Sequence, residues 1–126
     1  MRYLMLIRVG SGMEAVNDKL MAEMNGFVER SKRSGIMVDT GGLQGRESGV
    51  TLGLSGGKVT VTDGPFTEAN EVVGGFAIID VNTKQEAIDQ AREFLQLHAD
   101  TMGPKYAAEV EVRQMYSMEG QALVTQ

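Results

Sequence analysis

Phe76-Ala77-Ile78-Ile79-Asp80-Val81 carries one charge in an otherwise apolar run. That is the composition of a strand buried on both faces. Gly74-Gly75 leads into it. Downstream, Thr83 and Glu86 have the spacing of a helix capping box. Ile88, Ala91 and Leu95, with Ala87 and Phe94 beside them, then give the apolar stripe of a helix expected to end near His98. Gly103-Pro104 marks a loop. From Glu109 to Tyr116 the chain alternates, with Val110, Val112 and Gln114 on one face and Glu109, Glu111 and Arg113 on the other. That pattern reads as an edge strand. The tail after Met118 is expected to be loose.

Upstream, Tyr3-Leu4-Met5-Leu6-Ile7-Arg8-Val9 is a second nearly continuous apolar run. It is expected to be a first strand. As a secretory leader its apolar stretch is too short, and no small-residue cleavage site comes after it. Ser11 and Glu14 form another capping box, and Val16, Leu20, Met24 and Phe27 recur at helical spacing, with Met13 and Val28 widening the stripe. Lys32 and Arg33 precede Gly35, a helix stop. Ile36-Met37-Val38 begins another strand, and Gly41, Gly42, Gly45 and Gly49 break up the chain beyond it. Val50-Thr51-Leu52-Gly53-Leu54 and Lys58-Val59-Thr60-Val61-Thr62 alternate about Ser55-Gly56-Gly57, a hairpin signal. Asp63-Gly64-Pro65-Phe66 is a turn by composition. Thr67 to Val73 reads as loop or a short helical turn.

The order is therefore β-α-β-(hairpin)-β-α-β, the split βαβ pattern of an antiparallel ferredoxin-like α+β domain with an inserted hairpin. Its two central strands are the two apolar runs. Two helices cover one face of such a sheet, so apolar residues on the other face call for a second copy of the chain, giving a homodimer.

The 126 residues fit one domain, assigned to residues 1–118 with 119–126 as a C-terminal tail. No apolar run approaches the ~20 residues of a membrane span. There are no cysteines, which excludes disulfides, thiolate nucleophiles and cysteine zinc sites and suits a cytoplasmic protein. The net charge of −5 argues against nucleic acid, whose phosphates need a basic face. Arg30, Lys32 and Arg33 cluster where they complement a helix C-terminus. Nine methionines suit adaptable packing and a yielding interface. Gly10-Ser11-Gly12-Met13-Glu14-Ala15 matches a loose dinucleotide fingerprint, but a single βαβ unit cannot build the crevice such a cofactor needs. Gly57-Lys58 lacks the other elements of a phosphate loop. No cofactor is expected, and no His/Asp/Glu spacing argues for a metal.

The segment Gly56-Gly57-Lys58-Val59-Thr60-Val61-Thr62-Asp63-Gly64-Pro65-Phe66-Thr67-Glu68, together with Glu71 and Gly74-Gly75-Phe76, resembles the signature of the DGPF family, part of the wider YCII-related group. Glu109 to Gln114 resembles the family's last strand. Asn70 departs from the lysine of much of the family. The resemblance implies a dimeric α+β barrel and says little about activity. Distant relatives include isomerases and dehydrochlorinases of small cyclic acids. The YCII branch carries a His–Asp pair proposed as its active site, with the histidine near the first helix. The histidine of this chain is His98, near the end of the second helix, and does not match it. Asp100 falls roughly where the aspartate would.

Asp63, at a strand end, is open to two readings. It is a general base or ligand anchor, or it accepts backbone N–H bonds and fixes the turn before Pro65. Glu68 and Glu71 either crowd Asp63 into an acid–base couple or are solvated. Arg8, on a central strand, needs an anionic partner, either a structural carboxylate such as Asp80 or a ligand carboxylate. Gly64, Phe66 and Phe76 are candidates to line a pocket, and both phenylalanines suit the core equally. His98 and Asp100 read as a base with its orienting carboxylate or, more simply, as a helix-end charge arrangement. Tyr3, Tyr106 and Tyr116 read as packing residues. The expected function is a small-molecule-binding dimer using Asp63, Glu71 and Arg8 for acid–base chemistry on a small carboxylate-bearing metabolite. The alternative is a non-enzymatic regulatory or scaffolding dimer.

Overall fold

The computed structural model describes residues 1–10, 17–45, 48–63, 71–119 and 122–125; for Asp63, Glu71, Val72 and the stretch after Ser117 it describes the backbone. Strand β1 spans Arg2–Gly10, β2 Met37–Gly42, β3 Val50–Ser55, β4 Lys58–Asp63, β5 Glu71–Asp80, β6 Ala108–Gln114, β7 Tyr116–Glu119 and β8 Ala122–Thr125. Helix α1 spans Asp18–Arg33 and α2 Lys84–Met102. The main sheet has the order β2-β5-β1-β6, and each neighbouring pair is antiparallel. This is the ferredoxin-like α+β arrangement, with the two apolar runs on the central strands β1 and β5.

Alternation along the strands decides what each face does. Tyr3 and Met5 of β1 and Ala77 and Ile79 of β5 point toward the helices and are buried. They pack with Phe27, Met37, Val81, Ala87 and Ala91, while Val110 and Val112 of β6 close the core at one edge. Complete burial of Phe27, Met5, Leu20 and Ile79 contributes about 1.5–3 kcal/mol per side chain. The two helices are tied by a buried hydrogen bond from Gln90 Nε2 to Ser31 Oγ, 2.7 Å long. Phe27 and Phe94 meet beside it, ring centroids 5.8 Å apart.

Both helices are capped as their sequences allow. In α1 the cap is Asn17, whose Oδ1 accepts from the Leu20 amide at 2.7 Å. The described helix thus begins beyond the expected capping box of Ser11 and Glu14, which lies outside the described residues. In α2, Thr83 Oγ1 accepts from the Glu86 amide at 3.1 Å, and Glu86 Oε2 accepts from the Asn82 amide at 2.8 Å. This helix runs to Met102, one turn past His98, because no breaker intervenes before Gly103 at φ +84°.

Three further differences from the sequence reading are structural. Glu71, Val72 and Val73 belong to β5, paired with Gly10, Val9 and Arg8, rather than to a loop or helical turn. Pairing with the end of a central strand outweighs the local preference of an acidic, glycine-flanked segment. Among the described residues beyond Met118 the backbone is not loose, since β7 and β8 pair antiparallel. Asp80 bonds the terminal amine of Met1 at 3.1 Å and is not the partner of Arg8.

The inserted hairpin is as expected. Ser55 pairs with Lys58 across a two-residue turn. Gly56 and Gly57 there take φ of +58° and +77°, the left-handed pair such a turn requires. No helix among the described residues is long and apolar enough to cross a membrane.

Candidate functional site

The side of the main sheet away from the helices is lined along β1 by Leu4, Leu6 and Arg8. Their partners on β5 are Ile78, Phe76 and Val73, and on β6 Arg113, Glu111 and Glu109. Leu4, Leu6, Phe76 and Ile78 are half-buried, with none of the described helices over them. This apolar strip is bordered on one side by a row of charges.

Arg8 organises that row. Its Nη2 donates to Glu111 Oε1 at 2.6 Å, and its Nη1 lies 3.7 Å from Glu109 Oε1. Glu111 is shared, because Arg113 Nε donates to Glu111 Oε2 at 2.8 Å and Arg113 Nη2 contacts the same oxygen. Two guanidinium groups, Arg8 first and then Arg113, hold the Glu111 carboxyl below its ordinary value of 4.5. Among the described residues Arg8 thus meets structural carboxylates of the last strand, Glu111 lying 103 residues away in sequence.

A bulge sets what else lies near Arg8. Ile7 pairs with Gly75, but Arg8 pairs with Val73, so Gly74 is the extra residue. The Gly74 carbonyl accepts from the Leu43 amide at 3.0 Å. Because of this shift, Glu71 registers opposite Gly10, on the same face as Arg8 and two residues along. Backbone register therefore brings Glu71 to the Arg8 end of the open face.

Phe76 lies on that face toward β2. A Cβ added to Gly41 would come within 2.9 Å of its ring, so the ring occupies the space a larger residue at 41 would need. Thr40 Oγ1 bonds the Phe76 carbonyl at 2.9 Å. Asp63 ends β4 in the hairpin, paired with Val50. Its side chain lies outside the described residues, as do Gly64, Phe66 and Glu68. The convergence of Asp63 with Arg8 or Glu71 falls there too.

His98 is buried and separate from this face. Its Nδ1 lies 2.9 Å from the Phe94 carbonyl, and the ring sits between Phe94 at 4.5 Å and Tyr106 at 5.8 Å. Burial pushes the Tyr106 hydroxyl above 10.0. Asp100 is exposed and accepts from Gln96. The two residues serve separate local contacts. Among the described residues, no three His, Asp or Glu side chains are grouped to hold a metal.

Sequence reading missed Glu109, Glu111 and Arg113 as a working group. A signal was present, since one face of the last strand is wholly charged and the first strand carries a single interior charge. Only the β1–β6 register brings them together.

The family model for the YCII-related domain matches residues 1–115. An uncharacterized protein of Rhizobium meliloti (strain 1021) is 28% identical over 85 residues, covering 68% of each chain.

Proposed function

This chain belongs to the YCII-related family, and on that premise we propose that it is a cytoplasmic homodimer that binds a small carboxylate-bearing organic acid at the Arg8 end of its open sheet face. One observation carries the reading: a half-buried guanidinium stands on a central strand, at the border of an apolar face that none of the described helices covers. In this reading a second copy covers the face and shields Arg8 from water, which strengthens its attraction for an anion. Arg8 can leave Glu111 for a ligand carboxylate without stranding a charge, because Arg113 still holds Glu111. Phe76 and Gly64–Phe66 would supply apolar wall, and Glu71 or Asp63 the proton transfer if chemistry accompanies binding.

The Arg8–Glu111 pair favours a second reading. The charges then fix sheet register, and the dimer is regulatory or scaffolding.

Thermal unfolding at one fixed protein concentration, with a panel of small organic acids, separates the two. Wild type, Arg8→Gln and Asp63→Asn are compared. A compound that raises the wild-type melting temperature but not that of a folded Arg8→Gln supports the binding site. Loss of the same shift in Asp63→Asn adds Asp63 to it. If no acid shifts the wild type and Asp63→Asn only melts lower, the DGPF segment is a structural turn and the scaffolding reading stands.

A further inference from the structure

The β3–β4 hairpin has two unlike faces. Register places Val50, Leu52, Leu54, Val59 and Val61 together on one, and Thr51, Gly53, Thr60 and Thr62 on the other. The five apolar residues are 50–74% exposed. Between Lys58 at the turn and Asp63 at the far end, neither strand carries a charge. Two uncharged, aliphatic strands with open edges invite uncontrolled pairing, and proteins normally cover such edges or charge them. Among the described residues neither device is present.

From this we infer that the hairpin is an exchange arm, whose apolar face docks on the open sheet face of a second copy of this chain. The inference rests on the homodimer reading and adds to it where the contact is made.

Area decides between geometries. A buried aliphatic side chain accounts for roughly 60–120 Å² at 25 cal/mol per Å². At its observed exposure the hairpin face offers on the order of 300 Å² of apolar surface. A stable interface needs about 800 Å² per partner, of which about 65% is apolar in homodimers, or roughly 500 Å². Hairpin packed on hairpin falls short of that and leaves the strip of Leu4, Leu6, Phe76 and Ile78 uncovered. Hairpin on partner sheet, repeated by a two-fold axis, lets each copy contribute both surfaces, so it buries more apolar area than hairpin on hairpin and covers the strip as well. The exchange also closes, so it gives a dimer rather than a fibre. Connectivity agrees. The arm leaves the end of edge strand β2 and returns to the start of central strand β5, next to Val73, which is 39% exposed on the open face.

The test compares three proteins by sedimentation equilibrium over a range of concentrations, with circular dichroism as the folding control. Leu52→Lys/Val61→Glu alters the arm at exposed positions, where substitution leaves the fold intact. Leu6→Lys alters the open sheet face. The expected result is a wild-type dimer whose dissociation constant rises ~100-fold or more in both variants. A wild-type monomer removes the dimer and the arm together. A wild-type dimer weakened by Leu6→Lys but not by the arm variant keeps the dimer and overturns the arm. A second measurement bypasses affinity. The chain has no cysteine, so Leu54→Cys chains mixed with tagged Leu4→Cys chains should give a linked heterodimer with a short thiol cross-linker. Its absence from a mixture that dimerises overturns the exchange.

Discussion

Two faces of the same strands behave differently. On β1, Tyr3 and Met5 are buried beneath the helices, while Leu4 and Leu6, one residue away, are only half-buried. On β5, Ala77 and Ile79 repeat the first state, and Phe76 and Ile78 the second. The residue types are nearly the same, so hydrophobicity does not separate the faces. What separates them is whether the chain supplies its own cover. The lesson is that the helix count sets how many faces of an apolar sheet the chain covers itself.

The contrast is tested most strongly on the covered face. Phe27→Ala empties a site with 2% exposure. It should cost about 3–5 kcal/mol in denaturant unfolding, at every protein concentration. A cost below about 1 kcal/mol would mean that the helix side is less tightly packed than described.

A smaller effect is expected where backbone meets backbone. A Cβ at Gly75 would lie 2.9 Å from the Gly41 carbonyl oxygen. Gly75→Ala must push β2 away from β5, so a loss of about 1–3 kcal/mol is expected. Amide exchange should locate the loosening on β2. Protection lost uniformly across the sheet would contradict a local cause.

The smallest effect belongs to the charged border of the open face. The Glu111 carboxyl is held below 4.5 in the folded protein. A depressed folded value adds stability that is present above the unfolded value and is lost as pH falls through the folded one. Glu111→Gln should therefore melt below wild type near neutrality, and the gap should narrow as pH drops below 4.5. A gap that stays constant with pH would show that the two arginines do not stabilise this carboxylate.

The sequence showed the architecture clearly where local composition and tertiary role coincide. The apolar runs at Tyr3 to Val9 and Phe76 to Val81, and the Gly56-Gly57 turn, each need only near neighbours to be read. Legibility failed where a distant partner decides. Glu71 to Val73 look like loop until the end of β1 pairs with them. Arg8 lacked an identified partner because Glu111 reaches it through strand register rather than sequence proximity. His98 looked like a helix-end charge because its contact with Tyr106 lies across the Gly103-Pro104 loop. The candidate site was half legible. Arg8 and Phe76 share one face with the backbone position of Glu71, whereas Glu109 and Glu111, which meet Arg8, come from the last strand and were not connected to it by sequence.

The bulge at Gly74 works like a phase change in a printed pattern. Were the ladder regular through Gly74, Val72 would register opposite Gly10, and Glu71 would leave the open side of the sheet. A slip of one residue thus redraws the Arg8 end while leaving the alternation of Phe76 to Asp80 untouched. Positions 71 and 73 register on the open side, so changes there leave the alternation that packs under the helices as it is.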